Sequence, residues 1–208
     1  MNYIDMENWS RKEHFDFFHR MDYPQFNICA NVDVTNFLEF TRKNELQFYY
    51  AMVHSSTLVA NQVINFRYRI REDQVILHDQ IHPSFTDIDE GNDLFKFVTV
   101  DMKDDIYEFV KNSEEKSLNQ KDYFALNELI GRDDLIYITC IPWISFTHLS
   151  HTISLNKNDS VPKISWGKYF VQHDKVLLPF SVQVNHALAD GVHIGEYLSK
   201  LQKYINNL

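Results

Sequence analysis

The sequence predicts an α/β protein, a two-layer sandwich in which a mixed β-sheet packs against helices. Segments with the two-residue alternation of strands are interspersed along the chain with segments that have helical periodicity. Only five glycines occur in 208 residues, fewer than the tight turns of an all-β sandwich would require. Hydrophobic residues make up 44% of the chain and aromatic residues 14%, enough for one substantial core. We therefore expect a single domain over residues 1–208.

The first half of the chain predicts a helix, a strand, two more helices and a hairpin. Ser10 and Glu13 have the spacing of a capping box, which predicts a helix start, and Phe15 and Phe18 then share one helical face. The following predicted elements are a strand over residues 26–34, helices over 36–44 and 48–63, and a hairpin of residues 66–71 and 74–78.

The second half predicts strands and a closing helix. Residues 95–100 alternate as a strand, residues 104–117 form an amphipathic helix, and the polar stretch 116–134 is too short to separate two domains. Residues 137–148 and 161–169 have strand-like character, and residues 178–184 alternate as a half-buried strand. The stripe of a final helix is formed by Ile194, Leu198, Leu201, Ile205 and Leu208.

Composition excludes several functions. A net charge of −9 disfavours nucleic-acid binding, which relies on lysine and arginine to neutralise phosphates. Cys29 and Cys140 have no paired or metal-binding spacing, so we expect buried free thiols in a reducing compartment. The first residues lack a signal-peptide pattern, and no apolar run reaches membrane-spanning length. We expect a soluble, cytoplasmic protein with no membrane or nucleic-acid partner.

The segment with most chemical content is Ser181 to Gly191, where His186 precedes Asp190 by four residues. The strand before it and the helix after it place His186 in a strand-to-helix turn, where a side chain is fixed yet exposed. The pattern His-x-x-x-Asp-Gly resembles the signature of coenzyme A-dependent acyltransferases, and residues 183–193 look most like chloramphenicol acetyltransferase. The resemblance implies the two-layer fold of the coenzyme A-dependent acyltransferases.

Residues 8–15, Asn-Trp-x-Arg-x-Glu-His-Phe, also resemble this family. The resemblance implies that Arg11 pairs with Asp190 and that Phe17 and Phe18 line the antibiotic pocket. Relatives commonly have a tyrosine where this chain has Phe18, so one hydroxyl contact is missing. Without the resemblance, core packing explains these aromatic residues equally well.

In residues 137–148, Thr139 precedes Pro142 by three positions and Trp143 by four, and this resembles the family's Ser-x-x-Pro-Trp segment. The family's serine donates a hydrogen bond to the oxyanion of the tetrahedral intermediate, which implies this role for Thr139. Thr139 keeps the hydroxyl, but its methyl group restricts χ1. A purely structural threonine in a strand has the same sequence appearance.

Residues 161–169 resemble the family strand beside coenzyme A. The resemblance implies that Lys168 binds the phosphates or polar arm of acetyl-coenzyme A, that Tyr169 contacts its adenine, and that Ser165 holds a water where the family usually has threonine. Leu149 and His151 stand where the antibiotic pocket is typically bulkier or apolar. We expect no metal, because His148 and His151, three apart on a strand, would face opposite sides.

The chemistry expected at His186 is general base catalysis. An alcohol is a poor nucleophile at neutral pH, and a histidine with an ordinary pKa of about 6.5 can remove its proton as it attacks a thioester. Asp190 either orients His186 or pairs with a cation and holds the turn, and the family favours the second role, with Arg11. Asn185 replaces a second histidine of close relatives, so that position is not the base.

Several functions remain open at this stage. The first is acetylation of a chloramphenicol hydroxyl, which confers antibiotic resistance; the second is O-acetylation of another hydroxylated small molecule, favoured by Phe18, Leu149 and His151. A non-catalytic trimeric ligand-binding protein and a dihydrolipoyl acyltransferase domain are further alternatives; the latter would normally follow lipoyl and linker regions. The family also implies a homotrimer, in which Phe17, Phe18, Phe26 and Phe95 face His186 across a subunit interface.

Overall fold

A computed structural model describes residues 1–152 and 155–208, and it confirms an α/β fold with a mixed sheet and helices. The strands are β1 (Asn2–Tyr3), β2 (Gln25–Asp33), β3 (Tyr68–Arg71), β4 (Gln74–Leu77), β5 (His82–Asp87), β6 (Lys96–Thr99), β7 (Leu135–Ile141), β8 (Lys163–Gly167), β9 (Phe170–Gln172) and β10 (Lys175–Asn185). The helices are α1 (Lys12–Phe18), α2 (Thr35–Lys43), α3 (Phe48–Asn61), α4 (Ile106–Asn119), α5 (Leu126–Leu129) and α6 (Gly191–Asn206), with a 3-10 turn at Ile64–Phe66.

The main sheet has the strand order β2-β10-β8-β7-β5-β6, and β9 extends the pairing along β10. The pairs β5–β7 and β7–β8 are parallel and the other neighbours are antiparallel, so the sheet is mixed. A separate three-stranded sheet has the order β1-β4-β3. β10 therefore lies inside the sheet, and the residues that follow it leave from a rigid element.

The two faces of the main sheet differ in chemistry. Along β10, Phe180 and Val182 alternate with Ser181 and Gln183. The first two belong to the apolar core, which also includes residues of α2, α3, α4 and α6. Ser181 and Gln183 lie on the opposite face and are nevertheless buried, as is Ser165 on β8. The sheet thus has an apolar side covered by helices and an opposite side with buried polar residues.

The prediction of a capping box at the first helix was wrong. The residue that precedes α1 is Arg11, and no side chain caps this helix end. Ser10 lies in the turn before it. The physical reason is the anchoring of Arg11. Its guanidinium is hydrogen-bonded to residues 186–190, far away in sequence, and these bonds fix where the chain enters α1.

The segment that contains His148 and His151 is not a strand, contrary to the sequence prediction. β7 ends at Ile141, and residues 142–151 are irregular. Pro142 follows directly and has no N–H to continue a strand ladder. The argument that the two histidines point to opposite sides therefore does not apply to this segment.

Most predicted elements agree with the structure, with small shifts at their ends. The hairpin of β3 and β4, the helices α2 to α4 and the closing helix are confirmed. Leu208 does not continue the apolar stripe, because α6 ends at Asn206 and Leu208 is exposed. Cys29 and Cys140 are free, as predicted, but half-buried rather than fully buried. Among residues 1–152 and 155–208, no helix is long and apolar enough to cross a membrane.

Candidate active site

The turn between β10 and α6 carries His186, as the sequence predicted. Its backbone is held on both sides: the N–H of His186 donates to the Pro24 carbonyl at 2.7 Å, and the N–H of Ala187 donates to Oδ1 of Asn185 at 2.9 Å. Asn185 is 2% exposed, and its amide also donates to the Asp159 carbonyl at 3.1 Å. Asn185 is therefore a structural residue of the turn.

Arg11 ties α1 to this turn through four hydrogen bonds. Its guanidinium donates to Oδ2 and Oδ1 of Asp190 at 2.6 and 2.7 Å, a bidentate ion pair. It also donates to the carbonyls of His186 and Ala187, at 2.8 and 2.9 Å. The hydrogen bonds from Arg11 lower the pKa of Asp190, which stays ionised. The predicted pair of Arg11 and Asp190 is present in the structure.

The imidazole of His186 lies between two phenylalanines of the same chain. Phe18 stacks on it with ring centroids 3.8 Å apart and an interplanar angle of 9°, and Phe26 lies tilted at 4.4 Å. Both are thus direct neighbours of His186 in one chain, which corrects the expectation that they face it across a subunit interface. Phe17 touches the edge of Phe18 and is largely exposed. The reason is that α1 packs beside the turn, anchored there by Arg11.

The two ring nitrogens of His186 have different surroundings. Nδ1 lies 3.1 Å from Oδ1 of Asp190 without the alignment of a hydrogen bond, and it is buried with no other partner among the described residues. The side chain as a whole is 32% exposed. Because Nδ1 is enclosed, Nε2 is the more accessible of the two ring nitrogens. The neighbouring Asp190 carboxylate favours a proton on Nδ1, which leaves the lone pair on Nε2.

A separate chamber opens on the polar face of the sheet, with a volume of about 700 Å³. Thr139 and Phe95, predicted for the oxyanion and the acceptor, both line it, and so does His151. Leu149 is not among the lining residues; its carbonyl accepts a hydrogen bond from Asn27 at 2.7 Å. Ser165 is fully buried behind His151, with Oγ and Nε2 3.3 Å apart. The chamber thus contains the Thr139 side chain and an aromatic wall.

The chamber and His186 are far apart within one chain. Strand register places Thr139 opposite Ser165, and Ser165 opposite Ser181. His186 lies five positions beyond Ser181, about 16 Å along the strand, and two strand spacings add about 10 Å across the sheet. The Cα atoms of His186 and Thr139 are therefore separated by roughly 19 Å. In a single acyl-transfer step, the histidine must lie within about 3 Å of the hydroxyl whose proton it takes, and the oxyanion donor must lie within about 3 Å of the carbonyl oxygen.

A second cleft of about 300 Å³ adjoins the chamber. Trp143 and Cys140 line both spaces, and Tyr49 and Pro142 belong to the cleft. Residues 168–169, predicted to bind coenzyme A, follow β8 near this side: the N–H of Lys168 donates to the Ile144 carbonyl at 2.8 Å, and the half-exposed ring of Tyr169 meets Phe48 edge-on. These two contacts are made with residues that adjoin Trp143 and Gln47, which line the cleft.

The sequence prediction missed several chamber residues: Phe97, Phe124, Tyr137, Cys140 and Lys163. Tyr137 and Lys163 could have been found, because each lies two positions before a predicted site residue on its strand and so shares its face. Burial raises the pKa of Cys140 to about 12, so its thiol is not a nucleophile at neutral pH. Within residues 1–152 and 155–208, no cluster of three or more potential metal ligands is formed.

Solved structures identify the class of this fold. A chloramphenicol acetyltransferase structure matches with a TM-score of 0.91 at 25% identity, covering 98% of this chain and 99% of its own. The dihydrolipoamide acetyltransferase of Azotobacter vinelandii matches with a TM-score of 0.71 at 12% identity, covering 94% and 86%, which is a likeness of fold alone. The fold is that of the acyltransferases.

The particular family follows from the sequence. The chloramphenicol acetyltransferase family model matches residues 1–202, and the chain belongs to this family. A chloramphenicol acetyltransferase of Klebsiella sp is 30% identical over 201 residues, covering 97% of this chain and 92% of the relative. One of Clostridium perfringens is 29% identical over 208 residues, covering 99% and 95%. The protein is therefore an enzyme, an acyltransferase of the chloramphenicol acetyltransferase type.

Proposed function

We propose that this enzyme transfers the acetyl group of acetyl-coenzyme A to a hydroxyl of chloramphenicol, with His186 as the general base. The main support for the proposal is the environment of the His186 ring. The ring is stacked on Phe18, its turn is held by Arg11, and Nε2 remains accessible. The names of the relatives supply the acceptor. An acyltransferase that carried out this reaction in a cell would confer resistance to the antibiotic.

The reaction proceeds by direct attack. Nε2 of His186 takes the proton of the acceptor hydroxyl as its oxygen bonds to the acetyl carbonyl carbon, and the carbonyl oxygen becomes an oxyanion. Thr139 donates its hydroxyl to that oxyanion; among the described residues this hydroxyl has no competing hydrogen bond. The intermediate then expels the thiolate of coenzyme A, which takes the proton back from the imidazolium. The high pKa of Cys140 is consistent with transfer that needs no enzyme thiol.

Acetyl-coenzyme A would reach the chamber through the cleft beside Trp143. The cleft and chamber share Trp143 and Cys140, so a narrow arm can pass from one to the other. Lys168 supplies a cation and Tyr169 a half-exposed aromatic ring on that side, suited to phosphates and to an adenine. The two free, half-buried thiols suit a reducing compartment, and we place the enzyme in the cytoplasm.

The separation of roughly 19 Å between His186 and Thr139 supports a site shared between two copies of the chain. In a ring of identical subunits, the His186 turn of one copy would close the chamber of the next. A homotrimer of this kind has three equal sites. The residues facing His186 across the interface are then those of the chamber, Phe95 and Thr139 among them, and not Phe18 or Phe26.

Mixed assemblies test the reaction and the shared site together. His186→Ala and Thr139→Val chains each lose a catalytic group, and we expect about 10² to 10⁴-fold and 10² to 10³-fold lower turnover. After co-refolding in equal amounts, about a quarter of the interfaces would join an intact histidine to an intact chamber. Thiol release from acetyl-coenzyme A with chloramphenicol should recover to about that fraction of the wild-type rate.

The outcomes separate the two parts of the proposal. No recovery in assemblies whose mixed composition is verified by mass would refute the shared site. Wild-type turnover by the His186→Ala enzyme would refute the base. Thiol release with other alcohols but not with chloramphenicol would favour the second candidate, O-acetylation of a different hydroxylated molecule. The polar residues His151 and Lys163 in the chamber support this candidate.

A further inference from the structure

The chamber has a polar end that the reaction itself does not use. Tyr137, His151 and Lys163 all line it, together with Thr139. Tyr137 and Lys163 are direct neighbours across the parallel pair of β7 and β8. Tyr137 lies two positions before Thr139 on the same face of β7, about 7 Å away along the strand. Tyr137 and its neighbour Lys163 thus stand about one aromatic ring's length from Thr139. His151 lies close enough to Lys163 for the lysine charge to act on its pKa.

The hydrogen bond behind His151 determines which nitrogen carries its proton. Ser165 is fully buried, and among the described residues its hydroxyl has no acceptor other than Nε2 of His151, at 3.3 Å. With Ser165 as the donor in this contact, Nε2 is the acceptor nitrogen of the ring. Burial and the charge of Lys163 lower the pKa of His151, which is therefore neutral at pH 7. The neutral ring carries its proton on Nδ1 and presents an N–H donor.

Lys163 and Tyr137 add two further donors. The ammonium of Lys163 donates to Oδ2 of Asp159 at 2.8 Å, which uses one of its three N–H groups. Burial raises the pKa of Tyr137, so its hydroxyl stays protonated, and it has no hydrogen-bond partner within the described part of the chain. The carboxylate among the lining residues, Asp93, lies in the exposed loop between β5 and β6.

Resting on the proposed acetyl transfer, we propose that the chamber selects acceptors that carry a strong oxygen hydrogen-bond acceptor at the end remote from the reacting hydroxyl. Carboxylate and sulfonyl groups have this chemistry: two oxygens that can accept from His151, Lys163 and Tyr137 at once. A nitro group is a weaker acceptor and a methyl group offers none. His151, Lys163 and Tyr137 are then specificity-determining residues of this enzyme.

The test uses one acceptor scaffold with different remote groups. Chloramphenicol carries a para-nitro group on its ring, and the matched compounds carry para-carboxylate, para-methylsulfonyl and para-methyl groups. Dissociation constants are measured by calorimetry without acetyl-coenzyme A, and kcat/KM by thiol release. We expect the carboxylate or sulfonyl compound to bind at least about 10-fold more tightly than the methyl compound, with the nitro compound between them. A carboxylate preferred over the sulfonyl indicates that the Lys163 charge contributes, and the reverse order indicates neutral donors.

Variants assign the selectivity to its residues. His151→Leu and Tyr137→Phe should each weaken the carboxylate and sulfonyl compounds by roughly 5- to 10-fold and leave the methyl compound unchanged. Tyr137→Phe removes a single oxygen atom, so it still provides the test if the larger change, His151→Leu, impairs folding. His148→Leu is the matched control, because His148 is exposed and does not line the chamber. It should alter none of these values.

Each outcome decides the inference. Equal affinity for the methyl and oxygen-bearing compounds, an equal loss for all compounds in the variants, or no binding of any compound overturns it. Selective binding without thiol release would leave the inference standing and refute the proposed acetyl transfer. Thiol release without selectivity would do the opposite.

Discussion

The ion pair of Arg11 and Asp190 allows a quantitative test of how the histidine turn is held. Asp190→Asn keeps the shape of the side chain but replaces two hydrogen bonds between charged groups, of 2.6 and 2.7 Å, by at most one bond from Arg11 to a neutral amide oxygen. Such bonds contribute about 1.5–3 kcal/mol each. The side chain of Arg11 is only 10% exposed, so its charge would be left poorly solvated, whereas Asp190 is 29% exposed, which reduces the loss. We expect a destabilisation of about 3 kcal/mol.

For a chain of this length, about 3 kcal/mol corresponds to a Tm roughly 6–12 °C lower. Turnover should fall as well, because the Arg11 bonds to the carbonyls of His186 and Ala187 set the position of the base. Because Arg11 lowers the pKa of Asp190, the pair's contribution is complete at neutral pH and is lost as pH falls below the ordinary carboxyl pKa of about 4. Melting is measured at one fixed protein concentration.

A double-mutant cycle with Arg11→Met decides whether the two residues act together. A coupling free energy of at least about 2 kcal/mol is expected, and effects that add within about 0.5 kcal/mol would refute the reasoning. The exposed pair of Lys12 and Asp16, on the same helix, is the control. Lys12→Met and Asp16→Asn should leave Tm and turnover within the error of the measurement.

Three further predictions concern single side chains. Thr139→Val should lower kcat by about 10² to 10³-fold with little change in acceptor KM, and Thr139→Ser should restore most of it; equal kcat for the valine enzyme would exclude an oxyanion role. Phe18→Leu removes the ring stacked on His186 and should lower kcat by roughly 2- to 10-fold, with the KM for acetyl-coenzyme A unchanged. Burial lowers the pKa of His54, which is fully enclosed with Nε2 3.0 Å from the Lys103 carbonyl. Unfolding therefore takes up a proton below about pH 6.5, so Tm should fall on acidification from pH 7 to 5, and less steeply in His54→Gln.

Local sequence patterns predicted the elements near the site. The alternation in β10 and the stripe of α6 are properties of neighbouring residues, and so is the turn between them that carries His186. The capping box at Ser10 failed because a local signal competed with the long-range anchoring of Arg11. The prediction of a strand through His148 was wrong. The apolar character of a segment does not determine whether it pairs with another strand, and Pro142 ends the hydrogen-bonded ladder of β7.

Periodicity and motifs that resemble a known family were sufficient to predict the fold class, the acyltransferase signature and the pairing of Arg11 with Asp190. The contacts of Phe18 and Phe26 with His186 in the same chain, and the position of Thr139 and His151 in a chamber on another part of the sheet, became known from the folded chain. The reason is strand order. Pairing β10 with β8 and β8 with β7 sets which residues are level with one another, and register between distant segments is not encoded in local patterns.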